Sequence, residues 1–207
     1  APTSAKIGGS TYTVTATGGG SGNAVTFTSA NTNICTVATA TVTFVSPGTC
    51  TINANQAGSG TYSAAAQVSQ SFTISKGDPS LSNFADISKA FGAVNFTLTA
   101  PTASPSGGTY QYASGTTSVA SVNLTTGIVS VLAVGTTVIT ATYTPSTGNY
   151  NTATITMTLT VTAVPLTITA NDKSATYTGS AVSVTNGYSL TGTLVSTDAI
   201  SAASIVY

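Results

Sequence analysis

Charge is what this chain lacks most. Charged residues are 4% of its 207 positions, where about a quarter is usual. Lysine and aspartate supply all of it, four of each, for a net charge of zero; there is no Glu, Arg, His or Trp. Nucleic acid is excluded as a partner, because phosphate recognition needs clustered Lys and Arg. A polybasic membrane attachment is excluded on the same ground. General acid–base catalysis draws on His or on a tuned pair of carboxylates. The four Asp stand at 78, 86, 172 and 198, too scattered for such a pair. The chain therefore reads as a non-enzyme that needs no cofactor. Calcium takes six to eight oxygens, usually several of them carboxylates, and single Asp residues do not offer that.

Long apolar runs are missing too. The most apolar stretch, residues 127–133, is broken by Ser130 and followed by Gly-Thr-Thr, well short of the ~20 residues a helical span requires. No basic segment followed by an apolar one marks a signal peptide in this sequence. Helix formers of the Leu/Glu/Lys kind are sparse, while Thr and Val, which favour strands, are abundant.

What is present is a repeat. Residues 32–74 return about 87 residues later as residues 117–161. Val42 and Phe44 fall on Val129 and Val131, Gly48 on Gly135, Ile52 on Ile139, Ala54 on Ala141, and Phe72 and Ile74 on Leu159 and Val161. After one residue of slip, Gly60-Thr61-Tyr62 falls on Gly148-Asn149-Tyr150. The openings match at a slightly shorter offset: Ala85, Phe91-Gly92, Phe96, Leu98 and Ala100 align with Ala1, Ile7-Gly8, Tyr12, Val14 and Ala16. Within each repeat, short period-two runs alternate with Gly-rich turns, the pattern of a Greek-key sandwich. The expected fold is all-β: tandem immunoglobulin-like sandwiches in an elongated array. The expected domains are 1–75, lacking its first strand; 76–163; and 164–207, the first half of a third. Glycine and proline at 77, 79 and 165 punctuate the junctions.

Several phrases carry a family resemblance. Residues 5–74, through YTVTATGGGSGNAVTFTS and CTV…VTFVSPGTCTI, resemble the bacterial Ig-like repeats of large surface adhesins. Residues 117–161, through VASVNLTTGIVSVLAVGTTVITATY, are similar to the intimin/invasin type. Residues 165–184, PLTITANDKSATYTGSAVSV, resemble MBG-type repeats of giant secreted proteins. The resemblance implies sandwiches strung as a stalk on a bacterial surface or in a secreted fibre, with binding commonly left to a separate terminal domain. The implied location is extracellular or at the cell surface.

Individual residues then sort by chemistry. Cys35 and Cys50 each share the phase of inward apolar neighbours and are read as a disulfide, the alternative being two free buried thiols. A disulfide implies an oxidising compartment. The second repeat carries Ala120 and Thr137 at the matching places. Tyr62 and Tyr150, each after a Gly-x turn, are read as structural tyrosines of the tyrosine-corner kind, with the phenol bonded to backbone. Tyr110 and Tyr112, alternating in GGTYQYASG, are the candidate ligand contacts if exposed. Lys6, Lys89 and Lys173 read as edge protection, or as isopeptide donors if a carboxylate such as Asp86 or Asp172 is buried beside one. Asn95 and Asn123 fit the N-glycosylation pattern.

Three functions from different classes follow. One is a structural stalk or fibre segment. Another is a self-assembling filament subunit, in which a strand of one copy completes the next. The last is a glycan- or receptor-binding module. The corresponding partners are flanking repeats, further copies of the chain, or host or surface glycans.

Overall fold

The computed structural model describes residues 2–170 and 188–192. Every regular element in them is a strand. The strands are β1 (Ala5–Lys6), β2 (Tyr12–Thr13), β3 (Val25–Ser29), β4 (Cys35–Ala38), β5 (Thr41–Phe44), β6 (Gly48–Gln56) and β7 (Val68–Ser75). They continue with β8 (Ser80–Ser82), β9 (Ile87–Ala90), β10 (Phe96–Thr97), β11 (Thr102–Ser104), β12 (Thr109–Ser114), β13 (Ala120–Val122) and β14 (Ile128–Val131). The last four are β15 (Gly135–Thr144), β16 (Ala153–Thr162), β17 (Thr167–Ala170) and β18 (Tyr188–Thr191). Two compact units emerge: Ala1–Phe84 with Ala100–Gln111 and Ala141–Ile155, and Ala85–Thr99 with Tyr112–Thr140 and Thr156–Tyr207.

In the first unit a four-stranded sheet of order β1-β7-β6-β3 faces a three-stranded sheet of order β2-β5-β4. Both follow from alternation. Along β6, Cys50, Ile52 and Gln56 are buried, with less buried residues between them. Along β5, Val42 is fully buried and Thr41 and Thr43 face outward. Inward residues from both sheets form one core: Ala5, Ile7, Val14, Cys35, Val42, Cys50, Ile52 and Ile74. The Cys35–Cys50 disulfide joins β4 to β6, and so one sheet to the other, with a Cα–Cα distance of 5.7 Å. Ser29 Oγ lies 3.4 Å from Cys35 Sγ. Phe72 receives Tyr12 and Phe44 edge-on at centroid distances of 5.7 and 6.0 Å. The unit also holds a short antiparallel pair, β8 with β11, in which Leu81 lies opposite Ala103.

The second unit repeats the plan. β10-β14-β13 form a three-stranded sheet, and β9 closes the edge of a sheet of order β12-β15-β16-β9. Parallel pairing runs from Leu159–Ile87 to Thr162–Ala90. Leu98, Tyr112, Ala120, Val129, Ile139, Met157, Leu159 and Val161 are buried. Where the first unit has its disulfide, this one has a hydroxyl cluster. Thr137 Oγ1, at the place of Cys50, accepts Thr116 N–H at 2.8 Å and lies 2.9 Å from Ser114 Oγ. β17 and β18 form an antiparallel pair in which Ile168 lies opposite Leu190. Asp172, Lys173, Tyr177 and Asp198, and with them most of the expected third domain, lie outside the described residues.

One glycine is demanded at the same place in both repeats. Gly48 and Gly135 open β6 and β15 at φ +144° and +146°. A Cβ on Gly48 would stand 3.0 Å from Ile34 Cδ1, and one on Gly135 3.1 Å from Val119 Cγ2. Positive φ and this close approach together favour a residue without a side chain.

Replacing Cys35 and Cys50 with Ser, or reducing the bond, should lower stability by about 3 kcal/mol, the loop-entropy value for a closed loop of about 15 residues. Calorimetry with and without reductant measures it. Two reactive thiols in the folded, unreduced protein would contradict the bond.

Candidate functional site

The residues with the most specific polar geometry gather in the first unit, around the 76–79 segment. The Gly148-Asn149-Tyr150-Asn151 turn ends the β15–β16 connection and pairs with it. Gly77 N–H donates to Asn149 O at 3.0 Å, and Asn151 N–H donates to Gly77 O at 2.9 Å. Asn151 Nδ2 donates to Asp78 Oδ1 at 2.7 Å, and Asn149 Nδ2 to Val45 O at 3.2 Å. Lys6 Nζ meets Asp78 Oδ2 at 3.4 Å, both side chains being more than half exposed. Tyr150 packs its half-buried ring against the core of β1–β7. A Cβ on Gly77 would come within 2.7 Å of that ring and closer still to Ile7 O. Glycine at 77 is what lets the two backbones meet.

Asp78 has its carboxyl held below the ordinary range, first by the Asn151 amide and then by the Lys6 hydrogen bond and charge. An ion pair this exposed contributes little energy. Its value is directional, because one carboxylate holds a Lys from β1 and an Asn from the 148–151 turn together.

A second recurring device closes the loop before β3 and before β12. Gln56 Nε2 donates to Asn23 O at 2.7 Å, and Gln56 Oε1 accepts Gly19 N–H at 2.7 Å. At the aligned place on β15, Tyr143 Oη donates to Pro105 O at 2.7 Å and accepts Gly108 N–H at 2.9 Å. An amide and a phenol do the same work, each giving one proton and taking one. Sequence reading missed this pair. The available signal was a polar-capable side chain at an inward position of a long strand, Gln56 and Tyr143, recurring at the repeat period.

The tyrosines fall differently from expectation. Tyr112 is 6% exposed, and burial pushes its phenol up. Tyr110 is half-buried, donates to Pro101 O at 2.7 Å, and stacks tilted on Tyr143 at 5.1 Å. Tyr112 therefore lacks the exposure that a ligand contact requires, and Tyr110 keeps part of it. On β12 they share the inward phase, with Thr109 and Gln111 outside. Tyr62 is 54% exposed, and among the described residues its hydroxyl has no hydrogen-bond partner. Its ring lies beside Gly20. Tyr150 acts through its ring, so the phenol-to-backbone bonds expected of Tyr62 and Tyr150 belong to Tyr110 and Tyr143.

Among the described residues Lys6 and Lys89 have defined partners. Lys89 Nζ sits 4.9 Å over the Phe96 ring. Asp86 Oδ1 accepts Thr158 N–H at 2.6 Å on the edge of β16. Asn123 Oδ1 accepts Thr125 N–H at 3.1 Å and Thr126 N–H at 2.9 Å, which fixes its turn. Among the described residues no group of three His, Cys, Asp or Glu is placed to hold a metal.

The strand order and inward alternation define the chain as an all-β protein of immunoglobulin-like sandwich repeats. No protein-family model matches it, and no curated protein matches it. Among solved structures it is similar to human CDH23 EC21–23, at 19% identity over 65% of this chain and 50% of that one, with a TM-score of 0.33. It is similar to human mucin-like protocadherin EC1–2, at 13% identity over 69% and 85% of the two chains, TM-score 0.31. It is similar to the C-terminal 282-residue fragment of intimin, solved with the intimin-binding domain of its translocated receptor. That match has 21% identity over 78% and 60% of the two chains, TM-score 0.28. The chain thus spans half of the CDH23 fragment and three fifths of the intimin one. At these scores the fold assignment rests on this chain's own strand order.

Tyr143→Phe should cost about 1–3 kcal/mol by stranding Gly108 N–H and Pro105 O, read as a lower urea midpoint at unchanged slope. For Asp78, whose folded pKa is depressed, the contact's contribution is present above the unfolded value of about 3.9 and is lost as pH falls through the folded one. A carboxyl NMR titration should put its midpoint below that of a free Asp. Asn151→Ala should raise the midpoint.

Proposed function

We propose that the chain is a non-catalytic structural segment of a bacterial, adhesin-like extracellular repeat protein, a stalk or fibre whose work is mechanical. On this reading residues 1–75 and 76–163 are consecutive sandwiches and residues 164–207 begin a third. The observation that carries the proposal is the recurrence of one sandwich plan, a long inward-alternating strand pair closed at its edge by a short parallel strand, β6–β7 with β1 and then β15–β16 with β9. The near absence of charge suits a surface kept wet by Thr and Ser hydroxyls.

The alternative, a filament subunit completed by a strand from its neighbour, draws on the start of β7, whose residues 68–71 are all exposed and which β1 pairs only at Ile74 and Ser75. Tyr110 and Tyr112, the candidate glycan contacts, share the inward phase of β12, with Tyr110 half-buried.

The reduced, denatured mass of the native polypeptide carrying this sequence tests the proposal. A mass far above 20.3 kDa is the expected result, that of a long tandem array. A mass near 20.3 kDa would overturn the stalk reading in favour of the filament subunit.

A further inference from the structure

Two stretches fit the acceptor pattern for a sugar on asparagine, Asn95-Phe96-Thr97 and Asn123-Leu124-Thr125. Both lie in the second unit, and both asparagines are exposed. Their surroundings differ. Asn123 stands in the turn between β13 and β14. Its Oδ1 accepts Thr125 N–H at 3.1 Å, Thr126 N–H at 2.9 Å and the Thr125 hydroxyl at 3.3 Å. Its backbone N–H donates to Ile128 O at 2.8 Å, and its carbonyl accepts Gly127 N–H at 3.1 Å. The amide and the hydroxyl that the pattern requires are thus both taken up by the turn. Donors on an amide oxygen also draw the nitrogen lone pair into the C–N bond, which makes that nitrogen a poorer nucleophile.

Asn95 has none of these ties. Its side chain makes no hydrogen bond among the described residues. It lies outside regular structure, after the turn at Gly92 and directly ahead of β10. Thr97 is exposed. β10 sits at the edge of its sheet, paired with β14 only at Phe96–Val129 and Thr97–Ile128. Parting two residue pairs therefore frees the whole acceptor stretch to extend into a transferase. The neighbouring Val94 is 86% exposed.

We infer that Asn95 is a glycosylation site of this chain and that Asn123 is not. The donor is a sugar whose anomeric carbon is bonded to a diphosphate. Asn95 Nδ2 attacks that carbon and the N–C bond forms. The C–O bond to the diphosphate breaks, the diphosphate leaves with the electron pair, and the amide gives one proton to a base of the transferase. The attached sugar hydrates a surface that carries little charge and, at Val94, a bare apolar side chain. A stalk and a filament would carry it equally, so the assignment does not rest on the choice between them.

Peptide mapping of the native polypeptide by mass spectrometry tests the site. Sugar should be found on Asn95 and not on Asn123; a bare Asn95, or sugar on Asn123, would overturn the assignment. The folded, disulfide-intact full chain is then offered to two transferases, one supplied with a nucleotide-linked hexose and the other with a lipid-linked oligosaccharide. The donor that labels Asn95 identifies the source, and labelling by neither overturns the proposal. Asn95→Gln and Thr97→Val should abolish incorporation at an unchanged melting temperature, while Thr125→Val should leave it intact. Incorporation that survives Asn95→Gln would place the acceptor elsewhere and overturn it as well.

Discussion

Both sandwiches depend on one level of packing, where the strand carrying residue 50 or 137 meets the opposite sheet. Two antiparallel sheets stay face to face only if their inward side chains interdigitate without voids. In the first repeat this level is closed covalently, Cys35 to Cys50, with Val42 and Ile74 fully buried in the same core. In the second, Thr137 stands at the place of Cys50 and takes up Thr116 N–H and Ser114 Oγ. Ala120, at the place of Cys35, is completely buried. A disulfide constrains the unfolded chain, whereas a hydroxyl satisfies a backbone group that burial would otherwise strand. The position calls for closure, and either chemistry supplies it.

A chain with so few charges must settle its polar groups by neutral hydrogen bonds. Among the described residues no buried side-chain nitrogen or oxygen lacks a partner. Gln56 and Tyr143 do this at the loop before β3 and β12. Asn23 donates to Ala57 O and Gly58 O, while Asn31 and Asn123 take the N–H groups of their own turns. Charge has a defined partner at Asp78 with Lys6, at Asp86 on Thr158 N–H and at Lys89 over the Phe96 ring. The first lies at the 76–79 segment and the second on a sheet edge, where directionality matters more than energy.

The two repeats also differ along one edge. Sequence equivalence is close along β5, β6 and their counterparts, yet the side chains near the β2 and β7 edges differ in bulk and polarity. Gln70 at the place of Met157, and a two-residue β1 where β9 has four, leave a small cleft beside the half-buried rings of Tyr12, Phe27 and Phe72.

Period-two alternation is a property of the strand itself. The inward positions of β5, β6, β14 and β15, the glycines that open β6 and β15, and the repeat were therefore legible in the residues alone. Pairing of Cys35 with Cys50 followed from the same phase. Tertiary structure decided which side chains met across long separations. Tyr150 reaches the first core, Gln56 and Tyr143 hold loops more than thirty residues away, and Asp78 joins Lys6 to Asn151. Alternation says that Tyr110 and Tyr112 share a face but not whether that face is covered, because covering comes from strands elsewhere in the chain. Local spacing sets direction, and only the assembled register sets partners.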